Sequence, residues 1–475
     1  LKKGILRVNR KGFGFVELPD EEDIYIDAKN MNGALHNDLV VAEVTGRKEK
    51  NKLEGRILKI LDRKLEYVIG EFYLENGVGH LILDEENLKM NVIIEKDDIH
   101  GAVDGHKVQV RLLEQKSDHT YRGEVTKILG HKNDPGVDIL SIVYKYNISD
   151  TFPEEVIEQL KTIPSEVSDE DKVGRTDLTD ITIFTIDGDD TKDIDDAVSI
   201  KKLQNGNYEL GVHIADVSYY VKEGTPLDVN AMDRGTSVYL VDRVIPMIPH
   251  QLSNGICSLN EGVERLTISC VMEINLDGKI VDYNIFPSYI RSRKKMTYKN
   301  VNSILEKNIV PEGYEDFADD LRLMAELAKI LRKSKIKRGY LDFDVDEAKI
   351  LVDEKCHPTD IVLRERGVGE NLIEDFMIIA NECVATHIFY MELPFIYRVH
   401  EVPKEEKIHD FLSYIGTLGY VYKGNMKDNN PKAVQGLLEF LKDKKEFKIL
   451  SSLLLRSMQK AVYKPQNLGH YGLAS

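Results

Sequence analysis

The sequence is poor in cysteine and has no long apolar run. The cysteines, which lie far apart and form no C-x-x-C pair, are Cys257, Cys270, Cys356 and Cys383. This spacing argues against a zinc site and against a disulfide framework. No apolar stretch approaches the roughly 18 residues that a membrane-spanning helix needs, and we expect no signal peptide. We therefore expect a protein of the reducing cytoplasm with no membrane partner.

An excess of basic residues is also missing. The formal net charge is −17 at pH 7, whereas proteins that bind nucleic acid indiscriminately usually carry a basic excess. An enzyme acting on RNA is not excluded, because a bound metal and a local basic channel can carry the phosphate contacts. The 475 residues, 42% hydrophobic and 31% charged, suffice for three or more globular domains.

The most informative stretch of the chain is acidic. Residues 187–196 contain one lysine, Lys192, and six aspartates, which are Asp187, Asp189, Asp190, Asp193, Asp195 and Asp196. Residues 181–186 are β-branched and apolar, as in a buried strand, and Asn205-Gly206 predicts a tight hairpin between two further strands. The acidic stretch is therefore predicted to lie at the mouth of a sheet, fixed at both ends.

Carboxylates crowded in this way repel one another unless a cation offsets them. Aspartates suit Mg²⁺ or Mn²⁺ and leave positions open for phosphate oxygens. A solvated acidic turn is the alternative. An EF-hand calcium loop is excluded, because its sixth and twelfth positions, counted from Asp187, hold Lys192 and Val198 instead of Gly and Glu. The flanking strands favour a catalytic metal site over a turn.

The first part of the chain contains an internal repeat. Residues 33–44 parallel 101–112 and residues 55–61 parallel 123–129, both at an offset of 68 residues. Two copies of one small β-barrel are the simplest explanation, and the length of each copy suits an OB-fold.

Four regions follow from this repeat. We predict a barrel over 1–63, a second barrel over 64–132, a linker over 133–150 and a large domain over 151–475. The last region begins with the strands around the acidic stretch and continues with segments of helical periodicity, so we expect it to be α+β.

Aromatic residues alternate in the first predicted barrel. The run Lys-Gly-Phe-Gly-Phe-Val at 11–16 places Phe13 and Phe15 on one face of a strand, with Tyr25 on a neighbouring strand. Such rings are either core residues or a stacking platform for single-stranded bases. The pattern resembles cold-shock domains, which favours stacking. The second copy, with Gly79-His80, lacks such a pair.

Three motifs in and after the acidic stretch resemble a known catalytic domain. They are Asp187-Gly188, Asp193-Ile-Asp195-Asp196-Ala-Val and His213-Ile-Ala-Asp216-Val. They are similar to the RNB domain of the ribonuclease II and ribonuclease R family of processive 3′-to-5′ exoribonucleases. The resemblance implies a multidomain fold in which two N-terminal OB-fold, cold-shock-like β-barrels precede a large α+β RNB catalytic domain.

The resemblance also implies roles for individual residues. The metal ligands fall on Asp187, Asp193, Asp195 and Asp196, with Asp193 and Asp195 catalytic. The implied metal is Mg²⁺, with Mn²⁺ as an alternative. The RNA-binding aromatic residues fall on Tyr239, Tyr298 and Phe343, and a buried structural ring is the alternative for each.

Other polar residues have plainer interpretations. His213 is expected to be a hydrogen-bonded core residue, and Asp189 and Asp190 are expected to be solvated. The basic run 329–338 is expected to be a solvated helical face, with a part in an RNA channel as the alternative.

By this resemblance the chain hydrolyses single-stranded RNA, and structured RNA with a 3′ overhang, to nucleoside 5′-monophosphates by metal-activated water. The expected context is RNA turnover and quality control. The expected partner is RNA with a free 3′ end, candidate partners are the ribosome and the RNA-decay machinery, and a monomer is expected. The alternatives are a ribonuclease II-type enzyme that stalls at duplexes and a non-catalytic tandem cold-shock RNA-binding protein.

The resemblance stops at Ser475. The family continues with a Ser-Pro-Ile-Arg-Arg-Tyr segment that supplies a catalytic arginine, a later glutamate and an S1 barrel, none of which is in these 475 residues. We therefore expect a trimmed sequence. Without that arginine we expect activity to be impaired, since the arginine would stabilise the leaving charge.

Overall fold

A computed structural model describes residues 1–9, 11–19, 21–47, 53–86, 88, 90–117, 119–343, 347–364, 366–426 and 430–475. The chain forms two compact units. The first comprises Leu1–Phe152, Tyr239–Ile245 and Ile350–Asp360, and the second comprises Pro153–Val238, Pro246–Lys349 and Ile361–Ser475. Among the described residues, no helix has the length and apolar character needed to cross a membrane.

The first unit begins with a closed five-stranded barrel. Its strands are β1 (Lys2–Val8), β2 (Gly14–Glu17), β3 (Ile24–Ile26), β4 (Leu39–Arg47) and β5 (Leu53–Asp62). They pair in the order β1-β2-β3-β5-β4. Alternate residues of each strand face the interior, which is filled by Leu6, Val16, Ile24 and Ile26 among others.

A second closed barrel has the same arrangement. Its strands are β6 (Tyr67–Glu75), β7 (Val78–Leu83), β8 (Asn91–Ile94), β9 (His106–Ser117) and β10 (Thr120–His131). They pair as β10-β8-β7-β6-β9, which is the order of the first barrel read in the opposite direction. Phe72, Val92 and Val108 lie in its core. The repeat seen in the sequence therefore corresponds to two barrels of one topology, as predicted.

The segment predicted as a linker, 133–150, contains a helix instead. Helix α1 (Val137–Lys145) packs Val137 against Ile69 and Leu129 of the second barrel. The linker prediction is corrected here: the helix has an apolar face that needs cover, and the barrel supplies it. Its short length and the Pro and Gly residues before it hid the helical pattern.

Beyond the barrels the chain contains further strands. They are β11 (Thr176–Asp177), β12 (Thr185–Asp187), β13 (Asp196–Lys202), β14 (Tyr208–Ala215), β15 (Val238–Tyr239), β16 (Val244–Ile245), β17 (Glu264–Ile274), β18 (Ile280–Arg291), β19 (Lys295–Thr297), β20 (Ala348–Val352), β21 (Pro358–Leu363), β22 (Tyr397–Val399) and β23 (Val462–Lys464). The main sheet of the second unit has the order β11-β18-β17-β14-β13, and β12 pairs with β19 in parallel. The hairpin predicted at Asn205-Gly206 joins β13 to β14, with Gly206 at φ +87°.

The helices of the second unit build two cores. They are α2 (Glu154–Leu160), α3 (Val217–Tyr220), α4 (Pro226–Arg234), α5 (Tyr298–Lys307), α6 (Ala318–Arg338), α7 (Val368–Tyr390), α8 (Glu405–Thr417), α9 (Pro431–Leu441) and α10 (Phe447–Ser457). Helices α5, α6 and α7 pack on the sheet around Leu210, Leu321 and Phe376. Helices α8, α9 and α10 enclose a separate core that includes Leu437 and Leu454. The predicted fold class, two OB-fold barrels followed by an α+β domain, is confirmed.

One predicted strand is shorter than expected. Of residues 181–186, only Thr185 and Ile186 belong to β12, and Phe184 makes a single bridge with Val198. Ile183 and Phe184 are fully buried. Their apolar character therefore reflects core packing, which strand propensity alone does not distinguish from pairing.

Candidate active site

The aspartate loop, residues 187–196, is held at both ends by strands. Asp187 ends β12 and lies opposite Thr297 of β19. Asp196 begins β13 and lies opposite Ile214 of β14. Because both ends are fixed in hydrogen-bonded ladders, the position of each terminal aspartate is set by the sheet.

The residues inside the loop are partly exposed and partly anchored. Asp189 and Asp190 are exposed at its turn, as expected for solvated residues. Ile194 is only 1% exposed and belongs to a core cluster. Since Ile194 is fixed in the core, its neighbours Asp193 and Asp195 are held near the loop's base.

The loop carboxyls are crowded. Burial, then the charge of Asp195, raises the pKa of Asp187 to about 6, while Lys295 opposes the rise. Burial and the charges of Asp187 and Asp195 raise the pKa of Asp196 to about 7. Burial also raises the pKa of Asp195, whose carboxyl lies within hydrogen-bonding reach of Asp196. A bound cation would reverse these shifts, because it favours the ionised forms.

Among the described residues, one carboxylate oxygen of this group has no hydrogen-bond partner. Oδ2 of Asp187 is buried and makes no hydrogen bond. The Thr185 hydroxyl lowers the pKa of Asp187, and within the described part of the chain this hydroxyl is itself buried with no hydrogen-bond partner. An orphaned buried carboxylate oxygen of this kind is a suitable cation ligand.

The loop does not present a finished ligand cage. Within the part of the chain that the structure describes, no three His, Cys, Asp or Glu side chains are grouped as metal ligands. Mg²⁺ does not require such a cage, because one or two carboxylates usually hold it together with waters and substrate phosphates. The donor chemistry of the loop therefore fits Mg²⁺.

Tyr298 lies beside the aspartates. It is the first residue of α5, directly after β19. Burial, with the charges of Asp187 and Asp196, raises the pKa of its phenol. The phenol therefore stays protonated next to the loop and can donate a hydrogen bond there.

Tyr239 and Phe343 have other surroundings. Tyr239 ends β15 and is 66% exposed, so the alternative of a buried structural ring is wrong for it. Phe343 is half-buried and packs against the core of α8, α9 and α10. Its carbonyl accepts a hydrogen bond from Ser451. Phe343 therefore has at least a partial packing role.

Three aromatic rings lie together on the outer face of the first barrel. The ring centroids of Phe13 and Phe15 are 5.9 Å apart, and Tyr25 lies 5.3 Å from Phe13 and 5.7 Å from Phe15. The alternating residues Gly14 and Val16 are the buried ones. The rings are therefore not core residues, and they form one aromatic surface.

The second barrel carries a smaller pair at the related place. Tyr73 of β6 and His80 of β7 are cross-strand partners, stacked at 5.3 Å with 22° between the rings. In the first barrel the corresponding partners are Arg7 and Phe15. His80 thus occupies the position of Phe15, which the sequence repeat alone did not reveal.

His213 is a core residue, as predicted. It is 1% exposed, and its ring nitrogens lie 3.1 Å from Ser199 Oγ and 2.6 Å from Ser269 Oγ. Burial lowers its pKa to about 3. Asp216 forms an ion pair of 2.5 Å with Arg175. Both residues therefore stabilise the sheet.

The basic run 329–338 is not a solvated face throughout, which corrects the prediction. Lys335 is 4% exposed and lies 2.7 Å from Asp375 on α7. Arg332 Nε donates to the same carboxylate at 3.0 Å, and Arg338 pairs with Glu382 at 2.8 Å. These side chains join α6 to α7. The acidic partners lie at least 40 residues away in sequence, so charge spacing along α6 could not show them.

Two contacts to the aspartate loop carry no sequence signal. Ser258 Oγ binds the carbonyl of Lys192 and the amide of Ile194. Lys295 Nζ donates to the carbonyl of Thr191. These partners are separated by at least 64 residues, and serine and lysine are common elsewhere in the chain.

Three protein-family models match the chain. An RNB domain matches residues 175–475, a cold shock domain matches 80–153, and a ribonuclease B OB domain matches 4–60. The RNB match alone covers more than half of the sequence. The order of the three domains agrees with the two barrels and the α+β unit described above.

Sequence similarity to known proteins shows the family. The chain is 45% identical to ribonuclease R of Thermotoga maritima over 480 residues, which covers 100% of this chain and 67% of the relative. The chain belongs to the ribonuclease R family. Ribonuclease R proteins are 3′-to-5′ exoribonucleases, and RNB exoribonucleases are metal-dependent. The chain spans about two thirds of the length of this relative.

Solved structures of ribonuclease R share the fold. A complex of Mycoplasma genitalium RNase R with ribose-methylated single-stranded RNA superposes with a TM-score of 0.95 at 27% identity, covering 100% of this chain and 75% of the other. Its complex with double-stranded RNA gives a TM-score of 0.84 at 27% identity, covering 91% and 76%. The fold of the family thus extends over the whole chain.

Proposed function

We propose that this chain hydrolyses RNA from the 3′ end and releases nucleoside 5′-monophosphates, with the aspartate loop as its catalytic centre. The observation that carries the proposal is the crowding of the loop carboxyls. Burial and neighbouring aspartates raise the pKa values of Asp187 and Asp196, and burial with the charge of Asp193 raises that of Asp195. Such a group is costly without a cation. The reaction itself, hydrolysis of RNA from the 3′ end, is inferred from membership of an exoribonuclease family.

The proposed cofactor is Mg²⁺, with Mn²⁺ as an alternative, held by Asp187, Asp193, Asp195 and Asp196. Such an ion, held there, would supply Lewis-acid chemistry: it would make water a better nucleophile and offset charge on the phosphate. Asp193 and Asp195 are the proposed catalytic residues. Tyr298, whose phenol stays protonated beside the aspartates, is proposed to donate a hydrogen bond to a phosphate or sugar oxygen of the RNA.

RNA would be guided by aromatic surfaces. The exposed ring of Tyr239, the ring of Phe343 and the surface formed by Phe13, Phe15 and Tyr25 are proposed to contact RNA, since bases of any sequence stack on such rings. The support is the exposure of Tyr239 and the outward position of the three barrel rings. Phe343 rests on the family resemblance alone.

Single-stranded RNA with a free 3′ end is the proposed substrate, and structured RNA with a 3′ overhang is included. The complexes of the Mycoplasma relative with single-stranded and double-stranded RNA support both. We further propose a cytoplasmic monomer that acts in RNA turnover and quality control, with the ribosome and the RNA-decay machinery as candidate partners.

One experiment separates this proposal from its alternatives. An RNA hairpin with a single-stranded 3′ tail, labelled at the 5′ end, is incubated with the protein in Mg²⁺ or in a chelator. Mononucleotides with the hairpin consumed, in Mg²⁺ only, are expected. A product that stops at the hairpin indicates the ribonuclease II-type alternative. RNA that is bound but intact under both conditions contradicts the proposal for these 475 residues. It then indicates either a non-catalytic RNA-binding protein or a need for the arginine that the family carries beyond Ser475, and repeating the assay with the chain extended past Ser475 separates the two.

A further inference from the structure

The backbone on either side of Asp193 is bound by one side chain from elsewhere in the chain. The hydroxyl of Ser258 donates to the Lys192 carbonyl at 2.8 Å and accepts from the Ile194 amide at 3.1 Å. Ser258 is 0% exposed. Water therefore cannot readily take its place, and both backbone groups would lose their partner if the hydroxyl were removed.

The Ser258 hydroxyl has one proton to donate, and the distances to two possible acceptors indicate which of them receives it. Asn260 Oδ1 also lies within 3.3 Å of Ser258 Oγ. The Lys192 carbonyl is nearer, at 2.8 Å, so it is the better acceptor. Both hydrogen-bonding roles of the hydroxyl are thus used on the aspartate loop.

Ser258 is itself held firmly. Its carbonyl accepts a hydrogen bond from Arg265 Nε at 2.9 Å, and its amide donates to Gly255 at 3.1 Å. The next residue, Leu259, donates its amide to the carbonyl of Ile194 at 2.8 Å. The segment 258–259 therefore presents a rigid edge to the loop.

A second anchor lies one residue earlier in the loop. Lys295 Nζ donates to the carbonyl of Thr191, and the Lys295 amide donates to Glu261 at 2.8 Å. Three backbone carbonyls of the loop, those of Thr191, Lys192 and Ile194, are thereby bound by residues outside it. Asp193 is the residue between the two groups that Ser258 binds.

We infer that Ser258 is a positioning residue, which holds Asp193 in register with Asp187 and Asp195 by fixing the two peptide groups that bracket it. The inference rests on the proposed function, because this part of the loop needs to be rigid only if Asp193 holds a metal ion. Ser258 contacts neither RNA nor metal in this account. It acts only through the backbone of the loop.

The test compares three variants with the wild-type protein. S258A removes both hydrogen bonds, and S258C keeps a similar side chain with a much weaker donor. S288A is the matched control, because Ser288 is also 0% exposed and its hydroxyl lies 2.6 Å from the hydroxyls of Thr267 and Ser269 in the sheet. The readouts are Mn²⁺ affinity without RNA, measured by electron paramagnetic resonance, RNA affinity in a chelator, kcat in Mg²⁺ and Tm.

We expect S258A to weaken Mn²⁺ binding and to lower kcat, each by about 10- to 100-fold, as for other residues that orient metal ligands. RNA affinity in the chelator should stay unchanged. S258C should fall between S258A and the wild type. S288A should lower Tm as S258A does but keep the wild-type Mn²⁺ affinity.

Two results would overturn the inference. One is a Mn²⁺ affinity of S258A equal to that of the wild type, and the other is an equal loss in S258A and S288A, which would mean general destabilisation. The proposed function fails separately, if the wild-type protein itself neither binds Mn²⁺ nor hydrolyses RNA.

Discussion

Two groups of charged side chains in the second unit differ in what neutralises them. On helices α6 and α7, the carboxylate of Asp375 faces Arg332 at 3.0 Å and Lys335 at 2.7 Å. In the aspartate loop, Asp196 faces other carboxyls, and its pKa is raised to about 7. The first group is balanced within the protein and serves stability. The second is not balanced and calls for a cation, so burial of charge alone does not identify a functional site.

The largest effect is expected at the centre of the unbalanced group. Asp195→Asn should abolish turnover while RNA binding survives, because the change removes a metal ligand and leaves the aromatic surfaces intact. Turnover is followed by release of labelled mononucleotides, and binding by titration in a chelator. Asp189→Asn is the control in the same loop, and it should retain activity because Asp189, exposed at the turn, is not among the proposed metal ligands. Loss of binding together with turnover in Asp195→Asn would count against the assignment.

Substitutions in the ion pairs between α6 and α7 should lower the stability of the fold. Asp375→Asn leaves the buried ammonium of Lys335 without its nearest carboxylate, and breaking a buried pair in this way costs about 3–5 kcal/mol. The cost is measured by denaturant unfolding. Glu382→Gln breaks the more exposed pair with Arg338 and should cost much less. Equal costs for the two variants would contradict the contrast drawn here.

Asp196→Asn should stabilise the fold, whereas Asp375→Asn should destabilise it. Because the folded state raises the pKa of Asp196 to about 7, ionisation of this carboxyl destabilises the fold as pH rises from about 4 to 7, and the cost is complete above that range. In a chelator at pH 8 the variant should therefore melt a few degrees above the wild type, and at pH 4 the two should agree. A lower Tm for the variant at pH 8 would show that the carboxylate is already balanced within the protein.

The smallest expected effect is a difference in RNA affinity between a variant of the first barrel and a variant of the second. Phe15→Ala removes one ring of the aromatic surface of the first barrel, and a stacked base contributes about 1–3 kcal/mol. RNA affinity should fall about fivefold or more. His80→Ala, at the related position of the second barrel, should weaken binding less, since within the described residues Tyr73 is the single ring that stacks with it. Fluorescence titration of the two variants checks this, and an equal loss would mean that both barrels bind RNA alike.

The parts of the site that the sequence revealed are local. Six aspartates within ten residues, the hairpin at Asn205-Gly206 and the alternation of Phe13 and Phe15 are all visible over short distances. These signals placed the aspartate loop between strands and the rings on the outer face of a barrel. Propensity and periodicity act over the same short range, which is why the prediction succeeded there.

The parts that the sequence did not reveal depend on distant contacts. Ser258 reaches the aspartate loop across 64 residues or more, and Lys335 finds Asp375 on a different helix. Helix α1 was hidden because its stability comes from packing on the second barrel, and short helices have little stability of their own. Tertiary packing decides all three, and no local pattern reports it.

The most direct test of the central claim is Mg²⁺ binding to the protein without RNA, measured by calorimetry at pH 8.0 and at pH 5.5. Because protons compete with the ion for carboxyls whose pKa values are raised to about 6 and 7, binding should be clear at pH 8, weaker at pH 5.5 and absent in Asp195→Asn. Mg²⁺ binding that is the same at both pH values and in the variant would contradict the account.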